Sequence, residues 1–224
     1  SRGLGDVYKR QALALAVSRY GKDNVIALSV SYGQKHDKEI QAAKAVSAFY
    51  GVEQLFLDLS KIFQYSNCSL LQQSTEAVSY THLRAHEIEK TEGEKPVSTY
   101  VPFRNGLFLS SAASIALSKD CSVILYGAHA DDSAGFAYPD CSPMFNDAMN
   151  QAIFEGSGHQ LKVEAPFVNM TKAEVVKMGL ELNAPYELTW SCYEGKDVPC
   201  GKCGTCIDRA AAFAANGVSD PAIK

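Results

Sequence analysis

The chain has little that would carry it into a membrane or onto nucleic acid. No stretch of its 224 residues approaches the ~18 consecutive apolar side chains that a membrane span needs. Positive charge is not in excess: 21 Lys and Arg stand against 25 Asp and Glu, a net charge of −4. Bulk electrostatics therefore draws neither a phosphate backbone nor an anionic lipid surface. The opening Ser1-Arg2-Gly3-Leu4-Gly5-Asp6 lacks the apolar core of a secretory signal. No internal repeat or low-complexity tract is present, which excludes solenoids and long linkers. A disulfide framework is also unneeded, because a chain of this length buries about 70% of its unfolded surface. The seven cysteines are in any case an odd number. These absences leave a cytoplasmic globular protein of one domain, with at most a small appendage.

Strand and helix signals alternate along the chain. Val25-Ile26-Ala27-Leu28-Ser29-Val30 is a β-branched apolar run of the kind buried in a parallel sheet. A helix is expected from about Asp37, with Ile40, Ala43, Val46 and Tyr50 on one face and Gly51 as its stop. Leu55-Phe56-Leu57 reads as the next strand, and Phe103 to Leu117 as a helix buried on most sides. Val123 to Tyr126 is a strand, Met144 to Ile153 a helical stripe, and Val163 to Phe167 another strand. Thr171 and Glu174 form a capping-box pair that opens a helix through about Leu182. The expected fold class is α/β, a parallel sheet flanked by helices with right-handed crossovers.

Two segments sit badly in that pattern. Residues 1–10 lead straight into the helical Gln11 to Val17 with no strand before it, and residues 78–87 show no clear period. Both read as translated adapter text rather than natural protein. A divergent N-terminus and a solvated loop are the alternative.

Four of the cysteines, Cys192, Cys200, Cys203 and Cys206, crowd into 15 residues. Cysteines three apart suit one metal ion better than a bridge. Four thiolates make a closed tetrahedral cage for structural Zn²⁺, with no position left for substrate. An iron–sulfur cluster is the rival, since CxxCxxC also occurs in ferredoxin-type sites.

Other polar groups collect where strands end, the edge at which α/β proteins bind ligands. Tyr32-Gly33-Gln34-Lys35-His36 follows the first strand, and Gly127-Ala128-His129-Ala130-Asp131-Asp132 follows a later one. Paired Asp at such a place suits Mg²⁺ beside phosphates. Arg104 and Asn105 stand at a helix mouth, where backbone N–H groups and a guanidinium suit phosphate or carboxylate. Tyr138-Pro139-Asp140-Cys141 presents an acid and a thiol on a rigid loop. Each of these also has a plain reading as a cap, turn or solvated loop.

Taken in order, these pieces resemble the ATP-pyrophosphatase family, specifically the branch that makes the nitrile precursor of queuosine. The resemblance runs through Tyr100 to Asn105, Thr171-Lys172-Ala173-Glu174, Thr189-Trp190-Ser191-Cys192-Tyr193 and the cysteine run, and covers roughly Ala12–Ala77 and Ser98–Ala215. It implies an adenine-nucleotide-hydrolase-like, Rossmann-related fold over residues 11–188, with 189–224 as a zinc-binding segment packed on the same domain. It also implies an ATP-dependent ligase that converts 7-carboxy-7-deazaguanine and ammonia to the nitrile through adenylylated carboxylate and amide. Free ammonia is then the nitrogen source, ATP and Mg²⁺ are required, nucleic acid and membrane are not partners, and a homodimer is allowed. By the same resemblance Arg104, Asp131, Asp140 and Lys172 do catalytic work, and Tyr32, Gln34, His36, Asn105 and Tyr138 bind substrate. Cys192, Cys200, Cys203 and Cys206 match the family's zinc ligands. One departure stands out: the family opens with a strand ending in S-G-G-x-D-S, and that motif occurs nowhere in this chain. Two other readings stay open, a thiolating ATP-pyrophosphatase acting on transfer RNA through Cys141 or a cluster cysteine, and a non-catalytic zinc module.

Overall fold

A computed structural model describes residues 5–35, 37–74, 99–134 and 137–222, with side chains from Arg10 onward. His36, residues 1–4 of the anomalous N-terminus and the whole of 78–87 lie outside the described residues.

Helix α1 spans Gly5–Tyr20 and leads into strand β1, Ile26–Ser31. Helix α2, Lys38–Tyr50, ends at Gly51, whose φ of 65° is the left-handed conformation a glycine adopts without strain. Strand β2, Glu53–Asp58, then pairs with β1 in parallel, from Ile26 against Glu53 to Ser31 against Asp58. The short α3, Ser60–Phe63, precedes α4, Arg104–Ser118. Strand β3, Val123–Leu125, is followed by α5, Ala130–Ser133, and α6, Pro143–Gly156, before β4, Lys162–Glu164, pairs with β3 in parallel. Helix α7, Lys172–Glu181, carries the expected capping box, with both the Thr171 and the Glu174 bonds formed. Helix α8, Gly204–Ala214, closes the fold. Each parallel pair is joined through helices, which is the α/β class that the alternation predicts.

Three elements differ from expectation. Among the described residues the strands form two two-stranded sheets, β1–β2 and β3–β4, and every residue of β1 and β3 keeps partial exposure. A cavity of about 940 Å³ borders both strands, so neither is covered as a central strand would be. The same cavity takes Phe108, Ala112 and Ile115, so α4 is buried only at Arg104, Asn105, Gly106, Leu109 and Ala116. Strand β4 stops at Glu164, short of Phe167, because Pro166 offers no N–H to a ladder. The chain turns there, Val168 N–H donating to Ala165 O at 3.1 Å, and Phe167 drops fully buried into the core.

That core joins both ends of the chain. Ala12 and Leu15 of α1 pack with Val175 and Val176 of α7, Tyr186, and Ala212 and Phe213 of α8. Gln11 donates to Tyr186 Oη at 2.8 Å, and the Tyr186 hydroxyl donates to Val176 O at 2.8 Å. Gly179 makes room for this relay: a β-carbon there would overlap the Tyr186 hydroxyl and lie 2.7 Å from Gln11 Cγ. Gly179→Ala is therefore expected to destabilise the fold by about 1–3 kcal/mol through overpacking, measured as a lower urea midpoint with unchanged slope.

Candidate functional site

The connection between β3 and α6 is fastened to two helix starts by acids. Asp140, on the turn Pro139–Cys141, accepts the Asn105 N–H on Oδ2 at 2.9 Å. Asn105 answers with its side chain, donating to Asp140 O at 2.9 Å and to Cys141 Sγ at 3.2 Å. The second oxygen, Asp140 Oδ1, is buried with no partner among the described residues. Asp131 does for α7 what Asp140 does for α4, accepting the Lys172 N–H at 3.0 Å.

Arg104 lies next to this knot and is only 2% exposed. Its guanidinium carbon is 4.9 Å from the Tyr32 ring centroid and 6.0 Å from that of Phe108. Burial opposes the charge, but Tyr32, Asp140 and Cys141 outweigh it and hold the Arg104 pKa above its ordinary value. Burial likewise raises Tyr32. Tyr32 packs edge-on to Phe63 at 6.2 Å, so it is a core ring that supports the guanidinium. Gln34 turns inward and accepts the Tyr32 N–H at 3.0 Å. Gly33 between them has φ 83°, a left-handed turn that a side chain would strain. Tyr138 is fully buried and shares a hydrogen bond with Thr99. Arg104, Asn105, Asp140, Tyr32 and Tyr138 thus come together, with Gln34 behind Tyr32.

Lys172 and Asp131 form a second group with Asp208, which sequence reasoning missed. Lys172 Nζ donates to Asp208 Oδ2 at 2.7 Å. The 36-residue separation of that pair leaves no local signal. Buried His129 and Asp132 lie beside them, with His129 Nε2 3.5 Å from Asp132 Oδ2. Burial lowers the His129 pKa, and the attraction of Asp132 only partly offsets it. Cys141 is fully buried, and burial pushes its thiol up to about 11. It stays a neutral thiol at neutral pH, poorly suited to act as a nucleophile or sulfur carrier.

The four clustered cysteines converge. Their sulfur atoms all lie within 4.8 Å of one another, with Cys203 and Cys206 at 3.4 Å and Cys200 and Cys206 at 4.0 Å. A tetrahedral ion bonded to sulfur at about 2.3 Å sets sulfur–sulfur spacings of about 3.8 Å, so the cage fits. Backbone N–H groups of Glu194 and Cys200 point at Cys192 Sγ, at 3.4 and 3.3 Å, and that of Cys203 points at Cys200 Sγ at 3.3 Å. The hydrogen bond shared with Cys206 holds Cys203 down at about 4 and pushes Cys206 up. The cage can therefore hold a metal ion. Another residue missed in the sequence, Arg209, anchors it from behind. Its guanidinium donates to Asp220 Oδ1 at 2.7 Å, Thr189 Oγ1 at 2.7 Å and Tyr186 O at 3.2 Å, all buried.

Comparison with known proteins bears on this arrangement. The family model described as queuosine biosynthesis protein QueC matches residues 10–217. The chain is 41% identical over 202 residues to a protein named 7-cyano-7-deazaguanine synthase from Archaeoglobus fulgidus, covering 90% of this chain and 80% of that one. A protein of the same name from Koribacter versatilis is 41% identical over 210 residues, 92% and 84% of the two chains. One from Methanosarcina barkeri is 32% identical over 214 residues, 94% and 92%.

The purified protein is expected to carry a bound metal ion, and Cys203→Ser to lose it. Stripping the ion with a chelator should lower the melting temperature of the whole fold, because binding to such a cage is worth about 10–16 kcal/mol in isolated zinc peptides. Metal content and thermal melting, with and without chelator, check both. The lowered His129 pKa has a consequence for acid stability. The unfolded chain takes up a proton at about pH 6.5 where the folded one resists, so this contribution is complete above that pH and is lost as pH falls below it. Between about pH 7.5 and 5.5 the wild type should lose more unfolding free energy than His129→Asn does, measured by urea titration at each pH.

Proposed function

The chain belongs to the family of queuosine biosynthesis protein QueC, and on that footing we propose that it is an ATP-dependent carbon–nitrogen ligase making 7-cyano-7-deazaguanine from 7-carboxy-7-deazaguanine and ammonia. The observation that carries this reading is its shared sequence, along nine-tenths of the chain, with enzymes named for that product. The acid has no usable leaving group at neutral pH, and neither has the amide. A carboxylate oxygen therefore attacks the α-phosphorus of ATP and releases pyrophosphate. Ammonia then attacks the acyl carbon, AMP leaves with that oxygen, and a proton is lost to give the amide. The amide oxygen attacks a second ATP, again releasing pyrophosphate. Loss of the remaining N–H protons and departure of AMP leave the carbon–nitrogen triple bond.

The residues support distinct shares of this work. Arg104, charged and seated on Tyr32, suits the substrate carboxylate or a phosphate. Asp140 keeps Oδ1 for a ring N–H or for Mg²⁺ while Oδ2 holds the helix start. Asp131 is the other oxygen donor of the right chemistry for Mg²⁺, which would offset charge on pyrophosphate. Lys172 reaches a phosphate by exchanging its bond to Asp208. Asn105 fixes the Asp140 loop, Gln34 and Tyr138 complete the pocket wall, and His36, outside the described residues, is assigned to substrate by the family resemblance. The four thiolates suit Zn²⁺ in a structural role, as no fifth donor position is offered to substrate. Residues 11–188 are then the nucleotide-using domain, with 1–10 and 78–87 foreign to it and 189–224 the zinc segment. Free ammonia, ATP and the deazapurine are the partners in the cytoplasm, without nucleic acid, and the assembly is a homodimer if not a monomer.

Incubation with the acid, ATP, Mg²⁺ and ammonium, followed by mass spectrometry, is expected to yield the nitrile with two AMP released for each. Arg104→Lys keeps the charge but loses the planar fork, and turnover should fall about 100-fold with the melting temperature near that of the wild type. AMP release without conversion of the acid, or unchanged turnover in the variant, would overturn the respective assignment.

A further inference from the structure

The cysteine cage and the seat of Arg104 have one side chain in common. Tyr193 follows Cys192 directly in the chain, and its backbone N–H donates to Cys203 Sγ. Its main chain is thus tied to two of the four sulfur-bearing residues, by a peptide bond to one and a hydrogen bond to the other. The Tyr193 side chain packs on the cage cluster of Cys192, Cys203 and Cys206. It also packs on a second buried cluster, which contains Tyr32, Phe63, Leu71 and Val101. Among the described apolar residues packed on the cage, Tyr193 alone reaches both clusters. The second cluster is the floor under the start of α4. Tyr32 carries the Arg104 guanidinium at 4.9 Å, Val101 O accepts the Arg104 N–H at 3.2 Å, and Leu107 and Phe108 of α4 pack on the same group.

We propose that Tyr193 is a positioning residue, whose ring transmits occupancy of the cysteine cage to Tyr32 and the first turn of α4, so that the seat of Arg104 depends on the metal. An ion held by all four sulfurs fixes Cys192 and Cys203 together, and the Tyr193 backbone between those two anchors has little freedom left to lose. Its ring can then wall the Tyr32 cluster at small entropic cost. With the ion gone, the thiolates at these spacings repel one another or take up protons, and the segment regains its chain entropy by releasing the same packing. The contacts are those of the ring with apolar neighbours, so the hydroxyl is dispensable for this role. This route is separate from the packing of α8 on α7, and it ends at Arg104 rather than Lys172. The importance of the coupling for turnover rests on the ligase reading, whereas the coupling itself is observable without substrate.

Hydrogen exchange on the full chain tests this, with Zn²⁺ bound, after chelation at low temperature, and after Zn²⁺ is added back. Trp190, the single tryptophan, follows cage occupancy by its emission in the same samples, since its indole N–H donates to Cys192 O at 2.9 Å. In the wild type, chelation is expected to speed exchange in 104–108 about tenfold more than in 123–125 and 162–164, whose Ile124 and Val163 belong to a different cluster. Tyr193→Ala keeps all four cysteines, so it should bind Zn²⁺ and still change Trp190 emission on chelation. Its 104–108 segment should nevertheless exchange as fast with the ion as without it. Tyr193→Phe should restore both the protection and the response. Tyr193→Leu, run alongside so that the comparison survives if the alanine variant does not fold, should show a weakened response. Equal acceleration of all three segments in the wild type, a full ion response at 104–108 in the alanine or leucine variant, or no rescue by phenylalanine would overturn the proposal. The expected exchange pattern in a protein that forms no nitrile would instead count against the ligase reading alone.

Discussion

Backbone N–H groups in the first turn of a helix have no partner within the helix, and where the turn is buried an acceptor must come from elsewhere. In this protein the acceptors are side chains of neighbouring loops. Asp140 serves α4 and Asp131 serves α7, so the loops that carry the acids are held in register with the helices that carry Arg104 and Lys172. Ser142 and Thr171, which cap their own helices, fix the loop ends. The candidate site is a by-product of this bookkeeping. An acid with one oxygen committed to a helix has a fixed orientation, and its other oxygen is aimed without further cost.

Two buried guanidiniums show how differently one side chain can be used. Arg209 is spent on structure, with a carboxylate, a hydroxyl and a carbonyl around it. It ties α8 to the segment that enters the cysteine cage and to Asp220 near the end of the chain. Arg104 instead lies against the rings of Tyr32 and Phe108, which support the cation. The first arrangement is saturated and rigid. The second places a buried charge beside Tyr32, Asp140 and Cys141.

The cysteine cage and the N-terminal helix meet through the same core. Tyr186 accepts from Gln11 at one end of the chain and takes the Arg209 guanidinium on its carbonyl at the other. Loss of the metal would therefore loosen more than the knuckle, because α8 also packs on α7, whose first residue carries Lys172.

Local signals were enough for much of this. The Gly51 stop, the Thr171–Glu174 capping box and the parallel pairing of β1 with β2 all rest on short-range pattern, and the cysteine spacing announces a cage by itself. Arg104, Asn105 and Asp140 were singled out from their positions at a helix mouth and on a rigid loop, and the fold brings them together. What spacing could not give was the engagement of each group. Asp208 and Arg209 carry no local mark, since their partners lie up to 36 residues away. Tyr32, expected to bind substrate, also packs against Phe63 at the end of α3 and Leu71, contacts that no local spacing shows. Most of all, strand propensity in Val25–Val30 predicts burial but does not supply a neighbour. Composition and spacing alone determined the α/β class, the metal-binding cage and the candidate polar residues. Only the tertiary structure decided how those residues are engaged and how the strands pair, because both depend on contacts between segments far apart in the chain.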